Sequence, residues 1–272
     1  MFHRIKCYIK HLFRRIEWEK QVRQLPVEFV ENKRKPETFT AKGKVLVIAP
    51  HADDELIGCH QIISNYAINT TIFYCSFLGT NPSDENRVVR EREIRKYAGA
   101  QHCGFFLSSP EQIREDLSYL IKIDHPSVIC LPSVVDWHSE HRQVNYILSE
   151  VLSTSKWQGQ IIWYHITLPI PALYVNCHSS MRRYQHIHKW RMMKTCYYSQ
   201  LHMDIKRFKF VERITAKGDY AEETYISMPQ DKWLYYLNTF GKEIASDITL
   251  RQSLGNIHDM FVLTADYYRR FL

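Results

Sequence analysis

Residues 44–58 read KVLVIAPHADDELIG, an unbroken apolar run followed at once by a group of polar side chains. The run at 45–49 is apolar at every position, which is typical of a parallel strand that is buried on both faces of a sheet. Pro50 ends the strand, because proline lacks the backbone N–H that a ladder of hydrogen bonds needs. The polar residues therefore follow the carboxyl end of a parallel strand, where open α/β sheets bind their ligands.

This first polar cluster contains one imidazole and three carboxylates, which belong to His51, Asp53, Asp54 and Glu55. Neighbouring carboxylates raise one another's pKa, whereas a divalent cation between them reverses that effect. Imidazole and carboxylate are both common zinc ligands. We therefore predict a metal site at this strand end. The alternative is that Asp53 or Asp54 only caps the helix that follows.

A second polar cluster, DWHSEH at 136–141, follows the apolar run at 127–131. His138 and His141 are separated by three positions, so they share a face in a helical turn. This run also reads as a parallel strand, and the cluster lies at its carboxyl end. Both polar clusters can therefore converge at one crevice.

A catalytic zinc site has three protein ligands and one open position, and His51, Asp54 and His141 can supply the ligands. Asp53 is then left beside the bound water, where a carboxylate can accept a proton. His138 is left near the substrate carbonyl, where an imidazolium can stabilise a developing oxyanion. The reaction that this set implies is hydrolysis of an amide or an ester.

Strand and helix patterns alternate after residue 44, with no internal repeat, which predicts a mostly parallel sheet with helices on both faces. The predicted strands are 45–49, 70–77, 103–107, 127–131 and 160–165. The predicted helices between them are 54–66, 85–98, 110–123 and 142–153. Beyond residue 168 the pattern becomes more helical and irregular, with helices expected at 184–203, 231–242 and 257–271. We interpret residues 43–272 as a single α/β domain with a helical C-terminal part.

The paired motifs resemble those of a known family. PHADDE at 50–55 and the later H-x-x-H of DWHSEH are similar to the signatures of the PIG-L/LmbE family of zinc-dependent N-acetylglucosaminyl deacetylases. The resemblance covers residues 43–225 and includes weaker matches, an R-x-x-E at 90–93 and YYSQ at 197–200. The first two motifs are highly specific as a pair.

This resemblance implies a Rossmann-like three-layer fold in which zinc, or another divalent metal, is bound by His51, Asp54 and His141. It also implies Asp53 as the general base and His138 as the histidine on the oxyanion side. The implied activity is removal of the acetyl group from an N-acetylated amino sugar, such as a glycolipid, glycoside or nucleotide-linked intermediate. The alternative is a non-catalytic sugar- or nucleotide-binding module with a structural metal site.

Two further residues are predicted on the substrate side. Arg90 can bind a hydroxyl or a phosphate of the substrate, and the alternative is an ion pair with Glu93 on the same helix. Asp136 is assigned to substrate binding, and its alternative role is to orient a metal-ligating histidine. His60 and Gln61 stand where the family usually has small residues. They narrow the crevice or contact the substrate, and the alternative is that His60 faces away from the crevice.

Two basic segments have open interpretations. Residues 1–42 form an N-terminal arm, whose first part, 1–20, has apolar residues near helical spacing. That part can lie on an anionic membrane surface, or the arm packs on its own domain or on a partner subunit. Residues 182–189, RRYQHIHK, can contact a phosphate or a lipid headgroup, and the alternative is a solvated basic face.

Composition narrows the class of protein further. A net charge of +7 over 272 residues is compatible with an anionic substrate, and no nucleic-acid-binding signature is present, so no nucleic-acid partner is expected. Seven cysteines without a C-x-x-C pair favour a reducing compartment. No apolar run approaches the roughly 20 residues of a membrane span. We predict a cytoplasmic protein, with peripheral membrane contact through the arm as an option and no prediction of oligomeric state.

Overall fold

The computed structural model describes residues 2–77, 83–216, 219–245 and 249–272. The strands are β1 (Glu37–Thr38), β2 (Val45–Ala49), β3 (Thr70–Tyr74), β4 (Gly104–Leu107), β5 (Val128–Pro132), β6 (Gln160–Tyr164), β7 (Cys177–Met181) and β8 (Ala221–Pro229). The α-helices are α1 (Phe2–Arg23), α2 (Val27–Val30), α3 (Asp54–Asn65), α4 (Asp84–Gln101), α5 (Ile113–Asp124), α6 (Ser139–Ser153), α7 (Arg183–Cys196), α8 (Ile205–Ile214), α9 (Gln230–Ala245), α10 (Thr249–Gln252) and α11 (Ile257–Phe271).

The eight strands of the described residues form one sheet in the order β1-β7-β8-β6-β5-β2-β3-β4. All neighbouring pairs from β6 to β4 are parallel, and β1 is parallel to β7. Among these strands, only β8 runs against its neighbours, since it is antiparallel to both β6 and β7. The prediction of a mostly parallel α/β sheet is confirmed.

Strands β2 and β5 lie side by side, with Val47 opposite Cys130 in the register. From β2 the chain builds β3 and β4 on one side, and it then returns to build β5 and β6 on the other side. The strand order therefore reverses between β2 and β5. Such a switch point opens a crevice at the carboxyl ends of the strands, and the two polar clusters of the sequence follow these two strands.

The side chains of β2 alternate between two hydrophobic clusters, one on each face of the sheet. Leu46 and Ile48 are buried with residues of α5, α6, α9 and α11. Val45 and Val47 are buried with residues of α3, α4, α7 and α8. This arrangement gives three layers, and it explains the unbroken apolar run, because a strand that is covered on both faces has no solvent side.

Three strands lie where none was predicted. Strands β7 and β8 fall beyond residue 168, where a mainly helical pattern was expected, and β1 falls in the N-terminal arm. In β8, Glu222 and Glu223 are both buried, and Oε1 of Glu223 lies 2.5 Å from Nζ of the buried Lys189 on α7. A buried glutamate is tolerated when it is paired, but here the partner comes from another element. The local pattern therefore gave no sign of a buried strand.

Part of the N-terminal arm packs on the rest of the chain. Trp18, Leu25 and Phe29 are buried in a cluster with residues of α8 and α11, and the backbone N–H of Ile257 donates to Oε1 of Gln21 at 3.0 Å. This is the packing alternative, and it holds for residues 18–29 of the arm. The side chains of residues 1–10 lie outside the described part of the chain, and membrane contact through residues 1–20 stays a prediction.

None of the helices in the described ranges combines the length and the apolar character that crossing a bilayer requires. Six cysteines have described side chains, and all six are free thiols.

Gly58 lies where α3 passes close to the ring of Tyr164 on β6. A Cβ atom placed on Gly58 would lie 2.2 Å from Cδ2 of Tyr164, and that ring is held because its Oη donates to the carbonyl of Ile48 at 2.6 Å. We expect Gly58→Ala to lower the free energy of unfolding by about 1 to 3 kcal/mol, the usual cost of overpacking a core. Urea denaturation followed by circular dichroism measures this change.

Gly99→Ala is the matched control for that substitution. Gly99 also lies inside a helix, α4, but a Cβ atom there meets no heavy atom within 4 Å. Alanine should therefore raise the free energy of unfolding by about 0.5 to 1 kcal/mol through its better helix propensity. If the two variants were equally stable, the close contact between α3 and β6 would be disproved.

Candidate metal centre

The candidate centre is formed by the turn between β2 and α3 and by the start of α6. Asp53 has φ 113°, a left-handed conformation that is uncommon for residues other than glycine, and α3 begins at the next residue. This backbone turn allows consecutive acidic residues to point in different directions. A strained residue of this kind often belongs to a functional site.

Three potential ligand atoms meet at the crevice. Nδ1 of His51 lies 3.2 Å from Oδ2 of Asp54 and 3.1 Å from Nε2 of His141. Nε2 of His141 lies 3.3 Å from the same aspartate oxygen. Tetrahedral zinc with bonds of about 2.0 to 2.2 Å keeps its donor atoms about 3.3 to 3.6 Å apart. The spacing and the donor types therefore fit a small divalent cation.

The three histidines of the two motifs also form a cluster. Ring nitrogens of His51, His138 and His141 all lie within 4.8 Å of one another. That limit is wider than the 3.1 to 3.3 Å that separates the atoms of His51, Asp54 and His141. The set that contains Asp54 is therefore the closer match to one coordination sphere.

The charges of these side chains are strongly coupled. Burial lowers the pKa of His141, but the carboxylates of Asp54 and Asp136 outweigh burial and hold that pKa well above its usual value. Burial likewise raises the pKa of Asp54, but His141 and His51 outweigh burial and hold that pKa below its usual range. The site thus stabilises positive charge. A cation would compete with protons for it, because metal ligands bind in their deprotonated forms.

Two carboxylates lie behind the candidate histidine ligands. Oε2 of Glu140 lies 2.6 Å from Nε2 of His51, and Oδ2 of Asp136 lies 3.2 Å from Nδ1 of His141. Carboxylates in such positions fix the orientation of metal-binding imidazoles and raise their basicity. The sequence analysis gave Glu140 no role. The signal that could have found it is its place inside the DWHSEH motif.

The position of Asp136 favours the orienting role over the predicted contact with substrate. Its side chain is buried, and Oδ1 accepts a hydrogen bond from the backbone N–H of His138 at 2.8 Å. Oγ1 of Thr167 lies 3.1 Å from each carboxylate oxygen. Because His141 also faces Oδ2, protein groups engage both oxygens of Asp136.

Asp53 carries a carboxylate oxygen that is both buried and free. The residue precedes α3, but its side chain makes no capping hydrogen bond, and Oδ2 has no hydrogen-bond partner in the described ranges. Burial, together with the charges of Asp54 and Glu55, raises the pKa of Asp53 well above its usual value. The capping alternative therefore lacks its hydrogen bond. A buried carboxylate with a raised pKa can instead act as a general base.

His138 is held as a neutral imidazole. It precedes α6, and its Nδ1 accepts from the backbone N–H of Glu140 at 3.4 Å, so the proton of the neutral ring lies on Nε2. Burial and the neighbouring His141 and His51 lower the pKa of His138 to about 4. This differs from the predicted imidazolium. The ring can still stabilise an oxyanion, as a neutral donor through Nε2–H.

Arg90 makes the ion pair that was the alternative to substrate binding. Its Nη1 lies 3.4 Å from Oε2 of Glu93 and also donates to Oγ of Ser199 in the YYSQ segment. The positive charge of Arg90 acts to lower the pKa of Asp53, which places the guanidinium near the crevice. Its contact with a substrate stays a prediction.

Two residues of α3 anchor the helix and do not line the crevice. Glu55 accepts a hydrogen bond from Oη of Tyr197 and another from the backbone N–H of Asp53 at 3.1 Å, and burial raises the pKa of Glu55 to about 7. His60 is buried, with its Nδ1 3.0 Å from Oη of Tyr97. The side chain of His60 therefore faces away from the crevice, as the alternative interpretation expected.

No model of a protein family matches the sequence, and no curated protein matches it. Solved structures do share the fold. The conserved protein TT1542 from Thermus thermophilus gives a TM-score of 0.54 at 19% identity, over 68% of this chain and 94% of that chain. The zinc inhibited form of teicoplanin deacetylase Orf2 gives 0.54 at 13% identity, over 69% and 99%. GalB, the 4-carboxy-2-hydroxymuconate hydratase from Pseudomonas putida KT2440, gives 0.53 at 11% identity, over 69% and 96%.

These neighbours establish the α/β fold of the chain. A deacetylase and a hydratase share that fold, so the fold is compatible with more than one reaction. The fold alone therefore does not define the function, which depends on the residues of the site.

We predict that Glu140→Gln weakens zinc binding roughly 10- to 100-fold, because His51 loses the carboxylate that orients its ring. Competition with a chromophoric chelator measures the affinity of the purified full chain. Glu150→Gln is the matched control on the same helix, since Glu150 is exposed and pairs with Arg114. Equal zinc affinities in the two variants would remove Glu140 from the site.

Proposed function

We propose that this protein is a metal-dependent deacetylase that removes the acetyl group from an N-acetylated amino sugar. The observation that carries the proposal is the meeting of His51, Asp54 and His141 at 3.1 to 3.3 Å beside the free carboxylate oxygen of Asp53. The resemblance of both motifs to the PIG-L/LmbE family supports the same reaction. The fold shared with teicoplanin deacetylase Orf2 is consistent with it.

Zinc is the cation that we propose for His51, Asp54 and His141, since two imidazoles and one carboxylate are a known catalytic zinc set. Iron or cobalt would accept the same donors, and metal analysis of the purified protein identifies the native ion. When bound, a divalent cation lowers the pKa of water and polarises the amide carbonyl.

The proton transfers are assigned to Asp53. Its free oxygen accepts a proton from the attacking water while the water oxygen bonds to the amide carbon. The same carboxyl group then gives that proton to the nitrogen as the carbon–nitrogen bond breaks. The products are acetic acid, which ionises to acetate, and the free amine of the sugar, so water supplies all the atoms that are added.

His138 stabilises the negative charge that develops on the former carbonyl oxygen. Its Nδ1 is occupied by the backbone N–H of Glu140, so the ring presents Nε2–H as a donor. A donor that is already oriented costs no reorganisation during the reaction. We assign Arg90, which Glu93 and Ser199 hold near the crevice, to a hydroxyl or a phosphate of the substrate.

The alternative is a non-catalytic sugar- or nucleotide-binding module with a structural metal site. Such a module needs the three metal ligands, but it has no use for a buried carboxylate without a hydrogen-bond partner. Leaving a buried polar group unpaired costs stability. The free oxygen of Asp53 therefore favours the enzyme.

Asp53→Asn is expected to lower acetate release by about 10²- to 10⁴-fold, because it removes the general base. Asparagine tolerates the positive φ of this position, so folding and zinc binding should persist. Mass loss is measured on free, nucleotide-linked and lipid-linked N-acetylglucosamine. Asp84→Asn on the exposed start of α4 is the control. Full activity in Asp53→Asn would refute its role, and zinc binding without acetate release from any of these sugars would favour the non-catalytic module.

His141→Ala is expected to abolish both activity and the rise in melting temperature that zinc gives the wild-type protein. The rise is expected because a ligand that binds only the folded state stabilises that state. Thermal unfolding is followed with and without zinc after chelation. His188→Ala, which removes an exposed histidine from α7, should keep both properties. A normal zinc-dependent shift in His141→Ala would exclude that residue as a ligand.

A further inference from the structure

A basic groove lies between helices α7 and α8, and it shares no residue with the candidate metal centre. Its volume is ≈ 300 Å³, which is at the lower end of the range of small-molecule pockets. Arg191 and Lys194 line the groove from α7, and Lys209 and Arg213 line it from α8. Their spacings of three and four residues place each pair on one face of its helix.

Two cations therefore face two cations across a small concave surface. The described residues that line the groove include no carboxylate. The acidic residue beneath it is Glu212, which is buried. Its Oε1 lies 2.5 Å from Nζ of Lys189, and its Oε2 lies 2.9 Å from Nε2 of His186 and accepts from Nε1 of Trp190 at 2.7 Å. Glu212 is thus engaged by Lys189 and by two of the residues that line the groove, His186 and Trp190, and it is not itself a lining residue.

Aromatic rings hold the α8 cations at the groove. The guanidinium carbon of Arg213 lies 5.0 Å from the ring centre of Tyr220, and Nζ of Lys209 lies 6.0 Å from that of Trp190. Lys209 is also half-buried, and burial together with the charge of Lys194 lowers its pKa, although the charge of Glu212 acts to raise it. A bound anion would relieve the repulsion between these cations. On an ordinary solvated basic face the cations would be spread apart, whereas here they are crowded around one groove.

We propose that this groove binds a phosphate group, with Arg191, Lys194, Lys209 and Arg213 as its charged donors. Phosphate offers the several acceptor oxygens that a four-cation site can engage together. The rings of Trp190 and Tyr220, which also line the groove, suit the less polar part of a ligand of monosaccharide size. The proposal does not depend on the deacetylase reaction, since it concerns a second site on the outer helix layer.

The test is calorimetric titration of the full chain with inorganic phosphate and with glucose 6-phosphate at constant ionic strength. Lys194→Gln/Lys209→Gln removes one cation from each side and should weaken both affinities by roughly tenfold or more for each cation. Lys20→Gln/Lys122→Gln is the matched control, because it makes the same change of charge at exposed lysines of α1 and α5. The charge-keeping variant Lys194→Arg/Lys209→Arg should retain binding.

A second arm identifies the source of the phosphate. Phosphatidylcholine vesicles with and without phosphatidic acid are sedimented with the same variants. Vesicle binding that depends on phosphatidic acid and on Lys194 and Lys209 indicates a lipid headgroup, whereas groove-dependent binding of glucose 6-phosphate alone indicates a free phosphorylated sugar. The proposal is overturned if the wild-type protein shows no saturable binding in either arm. It is equally overturned if the groove variant and the lysine control bind alike.

Discussion

The adjacency of β2 and β5 in the sheet is the constraint on which the candidate metal centre depends. Val47 of β2 and Cys130 of β5 are paired in register, so the two strands deliver their polar segments to the same edge. Nδ1 of His51 and Nε2 of His141 are thereby 3.1 Å apart although 90 positions separate them in the chain. The parallel sheet, with its reversal of strand order at this point, is what converts two motifs into one site.

Within the centre, carboxylate and imidazole side chains alternate along a chain of close contacts. The order is Glu140, His51, Asp54, His141 and Asp136, with neighbouring atoms 2.6 to 3.3 Å apart. Buried carboxylates are costly unless positive charge accompanies them. Because of this alternation, protons on the imidazoles can stabilise the carboxylates. A divalent cation between His51, Asp54 and His141 would stabilise them in the same way. The alternation also explains why the carboxylates behind the histidines matter, since they set how strongly each ring holds a proton or a metal.

The sequence predicted the parts of the molecule whose reasons are local, and it missed those whose partners are distant. The run at 45–49 has no polar position because both faces of β2 are covered, and that pattern is visible in the chain itself. Strand β8 was missed because Glu223 is paired with Lys189 from another element. Asp136 was assigned to substrate because its spacing could not reveal that Thr167, from the segment after β6, engages both of its oxygens.

The three consecutive acids of the first motif differ in environment, and each environment suits a different chemical role. Asp54 shares its Oδ2 with two imidazoles, which suits a ligand. Glu55 is satisfied by Tyr197 and by a backbone N–H, which suits an anchor. Asp53 has φ 113° and lies just before the helix begins. One of its carboxylate oxygens is buried without a hydrogen-bond partner in the described ranges, which suits a base. Side chains of nearly the same intrinsic acidity are thus separated by their partners, which is how neighbouring carboxylates can act differently in one crevice.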